Sequence, residues 1–339
     1  MRVLKLTGGE MKIVLSVAGH LKTVPANYFV YETLKEMGHD VRLFNFGVNG
    51  VYPRLIKTLS RKHFYAHING QMRKLADSFR PDLFLTIFGF DHDKETIGYI
   101  RKRGILTASW WLNDPFQIKR SLTQASSYDY YFTNAKGSLQ DYKANGISKA
   151  FFLPLAAYPK LHKKLPGIDK QYDVCFAGDW GPMREKMLLE IAGDFRVSIF
   201  GPSWGKKLPQ NSPLRECIRR DGFFTPEELV PIFNHSKIAL NIHSWYGNWN
   251  YGLNPRVFEA NGCGTFQLSD FKEEIPELYE PDREIVLYNE MRDLKEKAAF
   301  YLASDSRRNE IAEKGYARTL RDHTYEKRLR EMFSIMRLS

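Results

Sequence analysis

Cysteine is scarce. Only Cys175, Cys217 and Cys263 occur in 339 residues, far apart and outside any CxxC spacing. An odd, scattered set argues against a disulfide framework or a zinc site and fits reduced thiols in a cytoplasm. No apolar run approaches the roughly 20 residues of a membrane span. The short run IVLSVAG behind Lys12 is followed by His20 and Lys22 without a small-residue cleavage site, so it reads as a first β-strand rather than a signal peptide. The stretch SVAGHLKTVPANYF lacks GxGxxG, which removes a nicotinamide-dependent dehydrogenase. There is no internal repeat and no low-complexity tract. Acidic residues are scarce in one half only. Residues 1–155 hold 22 Lys+Arg against 12 Asp+Glu, and residues 156–339 hold 28 against 27, so nearly all of the net +11 lies in the first half.

What is present suits a two-domain protein: 43% hydrophobic and 26% charged residues, with enough length for two cores. Strand and helix signals alternate, which predicts parallel sheets covered by helices on both faces. In the first half, strands are expected over KIVLSVAG, HDVRLFNF, DLFLTIFGF, ILTASWWL and YDYYFTN, with a helix over Ala26–Met37. Three prolines in Phe151–Gln171 read as a linker. The second half offers strands YDVCFAGD, RVSIFGP, KIALNIH, TFQLSD and EIVLY. It also offers a helix opened by FTPEEL, in which Thr225 and Glu228 form a capping box. The last helix is apolar at 325, 329, 332, 333 and 336 and must dock on something. Residues Gly8 to Glu10 resemble a translated ribosome-binding site, so Met11 is expected to be the native start.

Pro53–Lys74 carries six Lys/Arg, two His and no acid. It is either a solvated helix face or a surface for an acidic acceptor or an anionic membrane leaflet. A nucleic-acid partner has the basic charge but no recognised motif behind it. Nothing in the sequence sets an oligomeric state.

The segment GLNPRVFEANGCGTFQLSD, Gly252–Asp270, carries the most chemistry. It follows strand KIALNIH, at whose carboxyl end an open α/β sheet binds its ligands. Leu253 and Asn254 lead into a helix starting near Pro255. The helix start and Arg256 suit a diphosphate, and Glu259 lies one turn later on the same face. Gly262 and Gly264 are expected to turn the chain beneath the ligand. A surface Arg–Glu pair on an ordinary helix is the competing account. Asn241 and His243 end the strand, with a satisfied core histidine as the alternative for His243. Asp179, Trp180 and Gly181 in AGDWGPMRE make a strand, tight loop and helix start, a second place for phosphate.

NPRVFEANGCGTFQLSD resembles the nucleotide-sugar motif of GT-B glycosyltransferases, and more closely the spore-maturation protein CgeB family. WWLNDPF, YDYYFTN, FAGDWGPMRE, FGPSWG and FFTPEELVPIFNHSKIALNIH extend the likeness in order through most of the chain, as does RDHTYEKRLREMF. The resemblance implies two Rossmann-like domains facing a cleft, residues 1–155 for the acceptor and 156–318 for the donor. Residues 319–339 would form a helix crossing back to the first. It implies a cytoplasmic transferase, with a peripheral place at the inner membrane face left open. No cofactor is expected beyond the co-substrate, a UDP-sugar first, then GDP or dTDP. It also implies that Glu259 accepts the ribose hydroxyls and that Arg184 binds diphosphate, where a solvated helix charge is the alternative. Phe223 and Phe224 would contact the base, or pack in the core. A non-catalytic nucleotide- or glycan-binding assembly factor remains the other function.

One departure stands out. Retaining members of the clan carry a second glutamate eight positions before the ribose-binding one, and here that position is Tyr251. An inverting enzyme needs a general base, for which His20, Asp91 and Asp114 stand at strand ends; Asp114 leads, since two tryptophans before it would exclude water and Pro115 fixes the turn, and helix capping competes for it. The Asp91–Asp93 triplet DHD matches a metal signature of another fold, and no metal is expected.

Overall fold

Lys12–Val17 (β1) is buried at every position after the first, as a strand covered on both faces must be. Around it the first unit winds as α1 (Pro25–Glu36), β2 (Asp40–Asn45), α2 (Val51–Leu59), α3 (Arg61–Phe79), β3 (Leu83–Ile87), α4 (Lys94–Lys102), β4 (Leu106–Trp111), α5 (Ile118–Ala125), β5 (Tyr130–Thr133), α6 (Leu139–Ala144) and β6 (Ala150–Phe152). The six strands are parallel in the order β2-β1-β3-β4-β5-β6. This is a computed structural model; it describes residues 9–19, 21, 24–46 and 51–338, with only the helix backbone over 51–54.

The second unit, Ala156–Thr324, runs β7 (Tyr172–Ala177), α7 (Pro182–Ala192), β8 (Val197–Gly201), α8 (Trp204–Lys207), α9 (Leu214–Cys217), β9 (Ile218–Asp221), α10 (Pro226–Asn234), β10 (Ser236–Asn241), α11 (Arg256–Gly262), β11 (Gln267–Asp270), α12 (Ile275–Leu278), β12 (Val286–Tyr288), α13 (Met291–Ala303) and α14 (Asp305–Asp322). Its sheet is parallel too, in the order β12-β11-β10-β7-β8-β9. The last helix, α15 (Tyr325–Met336), belongs to the first unit. It buries Tyr325, Leu329, Met332, Phe333 and Met336, the stripe read from the sequence. Tyr325 meets Phe29 of α1 at 5.4 Å between ring centres.

The fold class is therefore as expected, two doubly wound parallel sheets with the last helix returned to the first. The capping box is present: Thr225 accepts from Glu228 N, and the Glu228 carboxylate accepts from Thr225 N at 2.7 Å. The linker lies where the two units divide, between Leu155 and Ala156, but it is packed. Phe151 pairs with Phe132 inside β6, and Leu153, Leu155, Ala157, Tyr158 and His162 are buried. The apolar run FFLPLAAY outweighs the prolines, because a segment that buries this much apolar surface packs instead of spanning solvent. The strand β9 was missed. Its sequence IRRD has no alternation, and it is held by pairing with β8 and by Asp221, whose carboxylate accepts from Trp204 N and Gly205 N. Where β7 and β8 end, the backbones nearly touch: a Cβ on Gly201 (φ +143°) would lie 2.0 Å from the Gly178 carbonyl oxygen. Only glycine fits there.

Candidate functional site

The carboxyl ends of β7, β10 and β11 bring together most of the donor-site residues expected from the sequence. Asn241 closes β10 and Asn254 precedes α11, and their side-chain amides pair reciprocally at 2.8 and 3.2 Å. Asn241 Nδ2 also donates to Ser269 Oγ on β11. Residues 242–255 thus form a loop pinned at both ends. It is pinned in between as well: Lys272 Nζ donates to Trp249 O, Gly252 N to Glu274 Oε1, and Trp245 Nε1 to Tyr251 O. Leu253 is fully buried and Pro255 takes the N-cap position of α11.

Arg256 then turns toward β7. Its Nε donates to Ala177 O at 2.9 Å, its guanidinium pairs with Glu259, and the group lies 5.3 Å from the Phe224 ring centre. Glu259 is 3% exposed. A surface pair on an ordinary helix is therefore excluded, because this carboxylate is out of water with its charge met by one arginine. Arg184, read alternatively as a solvated helix charge, is buried too. Its Nε and Nη2 donate to Ile242 O, and Nη1 pairs with Asp179. It ties the end of β10 to the loop after β7. Asp179 itself stays exposed, and Trp180 Nε1 donates to Glu185 Oε2 at 2.6 Å.

His243 lies in a fully buried row of charges. Asp270 Oδ1 accepts from His243 N at 3.0 Å and meets His243 Nδ1 at 2.6 Å, while Asp270 Oδ2 pairs with Lys272 Nζ at 2.9 Å. Burial holds the imidazole below its usual pKa, so it is neutral near pH 7 with Nδ1–H facing the carboxylate. Burial raises the Asp270 pKa, but His243 and Lys272 outweigh it and keep the carboxylate ionised. Nε2 of His243 has no partner among the described residues. The satisfied core histidine is thus half right. Asp270, Lys272 and Glu274 were not singled out from the sequence; charges just after a strand read as exposed loop.

Of the two phenylalanines, Phe224 is half-buried against an apolar cluster, the core packing given as its alternative, and lies beside Arg256, while Phe223 is exposed. Gly264 turns the chain at φ +67° after α11, as expected, with Lys164 closing over it, and Gly262 serves packing, since a Cβ there would meet Ala157 and His162. The strand, short loop and helix start of AGDWGPMRE are as expected, with Gly181 at the N-cap of α7, and the sterically tight position is Gly178, where a Cβ would lie 2.9 Å from the Phe176 ring.

Residues 184–334 match the family model described as glycosyl transferase-like. The spore protein CgeB of Bacillus subtilis is 26% identical over 265 residues, covering 74% of this chain and 81% of that one. The chain is similar to CgeB and has the GT-B fold. Solved structures agree on the fold. Sucrose-phosphate synthase from Thermosynechococcus elongatus gives a TM-score of 0.69 at 12% identity, covering 96% of this chain and 98% of that one. Anabaena HepE in complex with UDP and glucose gives 0.65 at 12%, covering 97% and 100%.

In the first unit of this CgeB-like chain the proposed bases separate. His20 lies outside the described residues. Asp91, after β3, keeps a side chain 19% exposed, 4.0 Å from Arg120. Burial raises its pKa, opposed by Arg120 and Lys57. Its neighbours in DHD point elsewhere. Asp93 caps α4 through Thr96 N, and His92 is buried between Ser16 and Tyr128. The triplet does not converge on a shared point.

Asp114 is fully enclosed. Its Oδ2 accepts from Tyr142 OH at 2.6 Å and Thr133 Oγ1 at 2.7 Å. It caps no helix, since α5 starts at Gln117 without a side-chain cap. Burial pushes its pKa up from 3.8 to about 6. The folded state then holds this proton more tightly than the unfolded one, so stability falls as pH rises from about 4 to about 6. Asp114→Asn carries no titrating group and should remove that fall. Relative to wild type it should gain about 2–3 kcal/mol between pH 4 and pH 7. Urea unfolding at the two pH values measures it, and parallel curves would refute it.

No helix among the described residues is long and apolar enough to cross a membrane.

Proposed function

We propose that this chain moves a sugar from a nucleoside-diphosphate sugar, a UDP-sugar first and GDP or dTDP next, to an acceptor held through the basic residues of the first unit. The observation that carries this reading is the buried Arg256–Glu259 pair at the joined ends of β7 and β10. Each partner is matched to one part of a nucleotide. A forked guanidinium suits diphosphate oxygens, and a carboxylate accepts both hydroxyls of a ribose. Nucleotide binding then exchanges partners without leaving either charge bare: Arg256 turns to the diphosphate and Glu259 to the ribose. The complex of HepE with UDP and glucose supports the choice of nucleotide. Asp91 is assigned as base, Arg256 as the charge that stabilises the leaving diphosphate, and no divalent ion is needed.

The non-catalytic binding factor is favoured by one feature, Tyr251 in place of a second carboxylate. Calorimetric titration of UDP, GDP, dTDP, ADP and CMP into wild type and Glu259→Ala is the test. One nucleotide should bind tightly and lose about 10- to 100-fold in the variant, the worth of hydrogen bonds to a charged group. No binding by any nucleotide would overturn the donor site, and binding without turnover of the matching sugar would favour the factor.

A further inference from the structure

Seven large apolar side chains are exposed among the described residues. Phe116, Met183, Phe223 and Phe300 stand singly, whereas Leu55, Leu59 and Tyr65 lie together in sequence on α2 and the start of α3. Leu59 is 75% exposed. The cause is the way α2 docks. Ile56 packs against the apolar core of the first unit, so Leu55 and Leu59, one turn apart on a shared stripe, are left outside. Ser60 breaks the helix and caps α3, accepting from His63 N. Phe64, Ile68 and Met72 of α3 then face the core, and Tyr65 does not.

The stretch Pro53–Lys74 itself carries charge of one sign, with Asp91 acting on Lys57 from outside it. Arg61 and Lys62 are exposed and make no ion pair among the described residues, and no acid lies between Pro53 and Lys74 in the sequence. Three other arginines of this unit are matched, Arg73 to Asp93, Arg101 to Asp129 and Arg103 to Asp77. Lys57 lies 5.1 Å from the Phe64 ring centre, its stem along apolar surface.

We propose that α2 and the first turns of α3 form a docking surface for an anionic lipid bilayer. Exposed leucines enter the acyl boundary, a tyrosine sits at the headgroup level, and an unpaired lysine and arginine meet lipid phosphates. A second copy of this chain is a poor occupant, because two such basic patches repel. Nucleic acid would use the cations but leave the leucines in water. The surface acts independently of the donor site, and so goes beyond the proposed transfer.

The test is flotation of the full chain with vesicles of phosphatidylcholine alone and of phosphatidylcholine with phosphatidylglycerol, at low and high salt. Wild type should float only with the anionic vesicles and lose at least tenfold in partition at high salt, as charges screened over a short Debye length do. Leu55→Ser/Leu59→Ser should bind on the order of tenfold more weakly. Arg61→Glu/Lys62→Glu should bind on the order of 30-fold more weakly. Unchanged thermal unfolding shows that both variants fold. Absence of wild-type binding to the anionic vesicles at low salt overturns the proposal. So does a leucine variant that binds like wild type while the charge variant does not, which would mark a bare polyanion site such as nucleic acid uses. Nucleotide titration of the same variants reports on the donor site alone, which keeps failure of the two readings apart.

Discussion

Asp91→Asn is expected to lower kcat by about 10²- to 10⁴-fold, the usual worth of a positioned general base, with nucleotide affinity unchanged. In the proposed transfer the base takes the acceptor hydroxyl proton as the acceptor oxygen bonds to the anomeric carbon. The bond from that carbon to the diphosphate breaks, and its electron pair leaves with the diphosphate. Asp91 suits the step because it stands after the carboxyl end of β3 and remains partly exposed. Burial raises its pKa, and a stronger carboxylate base accepts the proton more readily near neutral pH. Asp114 is the weaker choice: the oxygen that meets Tyr142 and Thr133 is committed to them, and the residue has no exposure. Turnover of the nucleotide-sugar chosen by titration measures the loss. Activity should fall as pH drops through the Asp91 titration, an acid limb absent from the residual activity of Asp91→Asn, and Asp91→Glu should recover part of kcat. A variant within about twofold of wild type would remove Asp91 from the reaction, since even a modest base is worth about 10²-fold.

Asp270→Ala should cost about 3–5 kcal/mol of stability, the range found when one partner of a buried ion pair is removed. Among the described residues the carboxylate is the one anion paired with Lys272, which is 1% exposed, and it also accepts from His243 N. Without it the ammonium keeps its hydrogen bond to Trp249 O and has no anion beside it among the described residues. A desolvated charge in that position is far costlier than a neutral group. Asp270→Asn should cost less, because an amide oxygen can still accept from His243 N. Asp270→Asn combined with Lys272→Met removes both charges and should recover stability relative to Asp270→Ala. Urea unfolding of the three variants, followed by a probe in the second unit, gives the comparison. A loss below about 1 kcal/mol for Asp270→Ala would mean that Lys272 finds water or another partner.

Much of the fold was legible because periodicity is a local property. KIVLSV and LFLTI are continuous apolar runs bounded by turns, and they became β1 and β3. The stripe from Tyr325 to Met336 announced a docked helix, and Thr225 with Glu228 announced a helix start. The order of motifs from WWLNDPF to RDHTYEKRLREMF carried the family likeness. Arg256 and Glu259 could be named together because three residues on one helix face are always neighbours. What failed to appear in the sequence depends on partners far along the chain. The strand β9 exists through β8 and Asp221, and the supposed linker packs because its apolar side chains find a core. Asp270, Lys272 and His243 form one buried row only when β10 and β11 lie side by side. Residue type and spacing determined which groups were available for chemistry. Tertiary structure decided which of them are buried, and burial sets both the cost of a charge and the partner it must keep.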